Sequence, residues 1–148
     1  MNSVVSKAWD FAHAKHEGQL DDTGVPYIYH PYSVYRTLFG LGCDDPTLIV
    51  ALLHDTLEDT DTTFEELERE FNEDIALMVN MVTHDGKKDQ KGYYFPRLVL
   101  RNNYDELAHR ATLVKFADRL SNLSRMEAWD DDRKAQYLRK SKFWKTEV

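Results

Sequence analysis

Residues 44–60 read DDPTLIVALLHDTLEDT. The first half has the outline of a buried helix. Pro46 follows two aspartates, and proline suits the first helical turn because its φ is already helical and its missing N–H has no bond to make there. Residues 48–53 are apolar on most faces, which puts this helix at the centre of a fold rather than on its surface. The second half sets His54, Asp55, Glu58 and Asp59 directly behind that apolar run. Ionisable groups beside a buried segment are costly unless they are paired or hold an ion. The stretch is therefore either a helix end breaking into solvent or a site.

Outward from it the pattern is helical nearly throughout. Val5, Ala8, Trp9 and Ala12 recur at helical spacing, with Ser3 as the expected cap. Residues 17–26, EGQLDDTGVP, read as a polar loop punctuated by Gly24 and Pro26. Val34, Leu38 and Leu41 share a face that stops at Gly42. Thr62 with Glu65, or Thr63 with Glu66, has the Thr-x-x-Glu form of a capping box, and Ile75, Met78, Val79 and Val82 follow in helical register. Residues 84–92 form a charged loop. Leu107, Ala111, Val114, Ala117, Leu120 and Leu123 are expected on one side of a long amphipathic helix. A last helix is expected to start near residues 130–132 and to run through Tyr137 to Trp144. Strand-like alternation and hairpin turns are missing. The expectation is one all-α domain over residues 1–148, a compact bundle of roughly six to eight helices.

Composition narrows the function. The chain has 148 residues, is 42% hydrophobic and 30% charged, and carries a formal charge of −7. Such an acidic surface disfavours nucleic acid and anionic membranes as partners, so an anionic substrate needs local help from a metal or a basic pocket. The single cysteine, Cys43, cannot form an internal disulfide, and no segment has the length of a membrane span or the apolar core of a signal peptide. The expected location is the cytoplasm. Oligomeric state is not legible in the sequence.

Four ionisable residues lie among apolar neighbours. His30 sits in YIYHP, His54 and Asp55 follow Ala51-Leu52-Leu53, and Asp118 stands between Ala117 and Leu120. Two imidazoles and two carboxylates make a suitable nitrogen–oxygen ligand set for a divalent transition ion. Each alone has an ordinary reading: a capping histidine, a polar helix end, an aspartate paired with Arg119. Glu58 and Asp59 lie about one turn beyond His54 and Asp55, so they can flank the same opening. A carboxylate pair beside a metal can take a proton from water and return one to a leaving group. The same pair also reads as an acidic first turn of the next helix, and residue types alone leave the two readings level.

Together the segments HEGQ, TGVPYIYHP, ALLHDTLEDTDTTFEEL, VNMVT and LVKFADRLSNL resemble the HD-domain phosphohydrolase superfamily. The match is nearest to the hydrolase domain of the RelA/SpoT-type alarmone enzymes and to their stand-alone small hydrolases, the metazoan SpoT-homologue type included. That resemblance implies an all-helical fold and a single metal, typically Mn²⁺, held by His30, His54, Asp55 and Asp118. It implies that Glu58 and Asp59 handle the hydrolytic water and its protons. Asn122 matches an asparagine that contacts the sugar-phosphate of the substrate, and Tyr137 is similar to a tyrosine on the last helix that lines the pocket. The implied reaction removes the 3′-pyrophosphate from a stringent-response alarmone, (p)ppGpp or (p)ppApp. The expectation is a hydrolase-type unit standing alone, without the synthetase domain of the long enzymes.

The chain also departs from the pattern. Where the family commonly has aromatic-Arg-Lys after HxGQ, this sequence has Leu20-Asp21-Asp22, and Ser124 stands where another arginine is usual. Lys87, Lys88 and Lys91 offer replacement cations. The alternatives are an HD-type nucleotidase or phosphatase acting on another nucleotide, NADPH included, and a nucleotide-binding module without turnover.

Overall fold

A computed structural model of the chain describes residues 1–83, 105–124 and 130–140, apart from the side chains of 137–140. It contains eight helices among the described residues: α1 (Ser3–Lys15), α2 (Tyr29–Gly40), α3 (Asp45–Leu53), α4 (Thr56–Asp59), α5 (Phe64–Glu70), α6 (Glu73–Val82), α7 (Glu106–Ser124) and α8 (Asp131–Lys140). The fold is all-α. The one extended pairing among the described residues is an isolated antiparallel bridge between Leu20 and Pro26. None of the described helices is long and apolar enough to cross a membrane.

The helix starts are written into the sequence as short polar side chains that accept an otherwise unbonded N–H. Asn2 accepts from Val5, Asp44 from Thr47, Thr63 from Glu66, Asn72 from Ile75 and Asp130 from Arg133. Each such cap is worth about 1 kcal/mol. Asn2 takes the role expected of Ser3, which is already the first helical residue. Of the two possible capping boxes Thr63 is the one used, but the Glu66 carboxylate turns to Lys15 of α1, 3.1 Å away. Helix α2 ends as expected at the glycine: Gly42 has φ 77°, a left-handed conformation that costs a residue without Cβ little, and Cys43 N bonds back to Leu38 O.

Helix α3 is the centre. Every residue from Thr47 to Leu53 is buried, and α1, α2, α6 and α7 all pack on it. A helix surrounded in this way has no solvent face, which is why its sequence is apolar all round. Three assignments to the core face fail. Leu41 is 72% exposed, Leu120 is 56% exposed and Leu123 also faces solvent. At 100° per residue Leu120 lies about 120° around the helix from Val114. The inward stripe of α7 instead runs through Ala111, Val114, Asp118 and Ser121, so the helix delivers a carboxylate and a hydroxyl where leucines were expected. Residues 84–92 and Trp144 lie outside the described residues.

Leu52 has no solvent exposure and stands in the middle of α3. Leu52→Ala is expected to lower the unfolding free energy by about 2–5 kcal/mol, measured by urea denaturation of the metal-free protein. A loss below about 1 kcal/mol would mean that α3 is not the packing centre.

Candidate active site

The corner between α3 and α4 sets the geometry. Helix α3 stops because Thr56 Oγ takes the Leu53 carbonyl at 2.7 Å. Asp55 then sits at φ −98°, ψ 0°, the sparsely populated bridge region that many site residues occupy. The chain resumes as the single turn α4, with Asp59 N bonded to Asp55 O. This break leaves His54 and Asp55 beside the apolar core with their side chains directed at α2 and α7.

His30 from α2 and Asp118 from α7 meet them there. His30 Nε2 is 2.8 Å from Asp118 Oδ1 and 3.5 Å from Asp55 Oδ2. His54 Nε2 is 3.1 Å from Asp55 Oδ2 and 3.4 Å from Asp118 Oδ1. Two donors each about 2.1 Å from one ion stand about 3.0 Å apart at right angles and about 3.4 Å apart at the tetrahedral angle. The four separations, 2.8–3.5 Å, fall in the range spanned by neighbouring ligands of one ion, and His30, His54 and Asp55 form a group that could hold one. His54 Nε2 is buried and has no hydrogen bond of good geometry to either carboxylate, as expected of a nitrogen oriented for an ion.

The outer nitrogens hold the rings in place. His54 Nδ1 lies 2.6 Å from the Ala51 carbonyl, so Nδ1 carries the proton and Nε2 points inward. His30 Nδ1 lies 3.0 Å from Ser121 Oγ, Ser121 is bonded to Ser33 Oγ, and Ser33 donates to the His30 carbonyl. This closed ring of hydroxyls locks the second imidazole. Lys115 Nζ, mostly buried, stands 3.6 Å from Asp118 Oδ2.

The charges follow from this packing. Burial alone would raise the Asp118 carboxyl, but the bond from His30, the nearby His54 ring and the Lys115 charge hold it well below the usual range. Asp55 is opposed by burial too and is lowered by His54 and His30. Burial would lower His54, yet the Asp55 and Asp118 carboxylates raise it well above the ordinary imidazole value.

Glu58 and Asp59 lie on α4, open to solvent, and each offers an oxygen within 4.8 Å of an Asp55 oxygen. Asp59 is pushed up to about 6 by partial burial and by the Asp55 and Glu58 carboxylates, against the pull of the Tyr27 hydroxyl. Asn122, half-buried one turn past Asp118, brings Nδ2 to 3.5 Å from Asp118 Oδ1. Tyr137 is part of α8, and its side chain lies outside the described residues. Lys87, Lys88 and Lys91 lie outside them as well.

Asp21 and Asp22 of the 16–27 loop have structural partners. Asp21 Oδ1 accepts from Thr23 N, Thr23 Oγ and Val25 N, at 2.8, 2.7 and 3.0 Å. Asp22 pairs with Arg133 of α8. Tyr27, Ser121, Ser33 and Lys115 are site residues that sequence reading missed. Tyrosine, serine and lysine are common in helices and loops, and nothing in their spacing separates these from surface residues.

An HD domain family model matches residues 8–91, more than half of the chain. The chain belongs to the HD-domain family. Over 93% of its length this HD-domain chain is 39% identical to a guanosine-3′,5′-bis(diphosphate) 3′-pyrophosphohydrolase of Aquifex aeolicus, of which it spans only 20%. It is 40% identical to the guanosine-3′,5′-bis(diphosphate) 3′-pyrophosphohydrolase MESH1 of Danio rerio, covering 92% of this chain and 79% of that protein. Its fold matches the solved structure of a metazoan SpoT orthologue that hydrolyses ppGpp, with a TM-score of 0.79 and 29% identity over 97% of this chain and 84% of the other.

The proton on His54 must leave before an ion can take its place. Mn²⁺ affinity of the HD-domain chain is therefore expected to rise with pH, and calorimetry in buffers of different ionisation enthalpy is expected to show proton release. An affinity flat between about pH 5 and 8 would count against His54 as a ligand.

Proposed function

We propose that this chain is a Mn²⁺-dependent nucleotide 3′-pyrophosphohydrolase acting on a guanosine alarmone such as (p)ppGpp. The observation that supports the reading is the cluster in which His30 and His54 each lie 2.8–3.5 Å from Asp55 and Asp118, with the Glu58–Asp59 pair one turn away. The names of the relatives supply the substrate class. In this reading residues 1–148 form one hydrolase domain, and the single cysteine is in keeping with a reducing cytoplasm.

The bound ion would supply a Lewis acid and a lowered pKa for water. The rest falls to the side chains. His30, His54, Asp55 and Asp118 hold the ion. The water oxygen attacks the phosphorus next to the ribose 3′ oxygen, that P–O bond breaks, and pyrophosphate leaves. Two protons move: one off the attacking water, one onto the ribose 3′ oxygen. Glu58 and Asp59 carry them, and a carboxyl near pH 6 such as Asp59 exchanges protons readily at neutral pH. Asn122 orients the sugar, and Tyr137 lines the pocket.

The loop acids favour a second reading of the substrate. Leu20-Asp21-Asp22 cannot stack on a purine or grip a polyphosphate as Arg-Lys would. An adenosine 3′-pyrophosphate then fits the same chemistry, while NADPH, with a single phosphate at the 2′ position, fits the phosphatase alternative and would release phosphate.

Purified protein with Mn²⁺ would be offered guanosine and adenosine 3′-pyrophosphates, NADPH and ordinary nucleotides, with products separated by ion-exchange chromatography. Pyrophosphate release from an alarmone is expected. Glu58→Gln and Asp59→Asn are expected to keep the metal and to lose turnover by about 100-fold or more. Phosphate as the sole product would point to a nucleotidase. Tight nucleotide binding without any product would point to a binding module.

A further inference from the structure

Tyr27 is neither a metal-ligand candidate nor a member of the acid pair, yet its hydroxyl reaches both. It donates to Asp55 Oδ2 at 2.7 Å and lies 3.4 Å from Asp59 Oδ2. Asp55 Oδ2 is the same oxygen that faces His54 Nε2 and His30 Nε2. A carboxylate oxygen has two lone pairs, so it can accept from a phenol and still serve an ion. The phenol stays protonated, because burial and then the Asp55 carboxylate raise it far above its ordinary value.

The 16–27 loop closes on itself through backbone bonds, with His16 against the Tyr27 ring. Tyr27 N donates to Gln19 O at 2.8 Å, and Asp21 N donates to Val25 O at 2.8 Å. Gln19 Oε1 lies 2.8 Å from Nδ1 of the buried His16. The His16 and His30 rings stand 5.2 and 5.8 Å from the phenol ring. The three bonds accepted by Asp21 close the turn.

We infer that Tyr27 is a positioning residue whose hydroxyl ties the ligand carboxylate of Asp55 to the proton-handling carboxylate of Asp59. Losing the hydroxyl leaves two neighbouring carboxylates with no donor between them. Both the ion's oxygen ligand and the acid–base group then lose their fixed spacing. The inference rests on the metal-dependent hydrolase reading, and its primary readouts need no substrate, so failure to find a substrate leaves it testable.

Tyr27→Phe keeps the ring against His16 and removes only the oxygen. Mn²⁺ affinity is expected to fall about tenfold, the size usual for losing a group that orients a metal ligand. The electron paramagnetic resonance line shape of bound Mn²⁺ is expected to change. With an active substrate, kcat is expected to fall about tenfold or more while KM moves less than about threefold. Tyr29→Phe, which removes an exposed hydroxyl two residues away, is expected to change none of these. Wild-type affinity and line shape in Tyr27→Phe would overturn the inference, as would a rise in KM alone. If Tyr27→Phe fails to fold, proton NMR of the unaltered protein decides. A protected Tyr27 hydroxyl that is lost in Asp55→Ala is expected, and its absence would overturn the inference.

Discussion

Two imidazole nitrogens wedged between two buried carboxylate oxygens are the constraint to which the surrounding structure answers. Carboxylates in a helical core are expensive unless a cation sits against them. Lys115 stands against Asp118, and the two carboxylates favour the charged form of the His54 ring. A divalent ion held by these residues would supply a stronger positive charge, and the 2.8–3.5 Å separations suit neighbouring ligands of one. Asp118 lies mid-helix on α7, and His54 and Asp55 lie where α3 breaks. The bundle therefore packs as it does only if α2, α3, α4 and α7 agree on a single point. Fold and site are in this sense one problem.

The all-α class was legible because apolar periodicity and short polar caps agree along the chain. The buried α3 was legible from composition alone, since a helix apolar on every face has nowhere else to go. The four metal-ligand candidates were legible because ionisable residues beside apolar runs are unusual. What stayed hidden was the rest of the site. Ser33, Ser121 and Tyr27 act through hydroxyl groups whose partners lie far off in sequence, and a hydroxyl in a helix has many ordinary uses. Leu120 and Leu123 misled because leucine at three-residue spacing looks like a core stripe, while the packed face of α7 advances through Val114, Asp118 and Ser121.

Asp21 and Asp22 show how far residue type alone can carry an argument. Read as charges, they turn a substrate-gripping segment into a repulsive one. In the folded chain Asp21 spends its carboxylate on the turn that carries Tyr27, and Asp22 meets Arg133 of α8. Their negative charge remains, so an anionic substrate still depends on the ion and on cations elsewhere.

The account stands on one ion held by four side chains. Anomalous diffraction from crystals of the Mn²⁺-loaded protein tests this directly. The account predicts a single strong peak within about 2.0–2.3 Å of His30 Nε2, His54 Nε2, Asp55 Oδ2 and Asp118 Oδ1. A peak centred elsewhere, or bonding that omits either histidine, would contradict it.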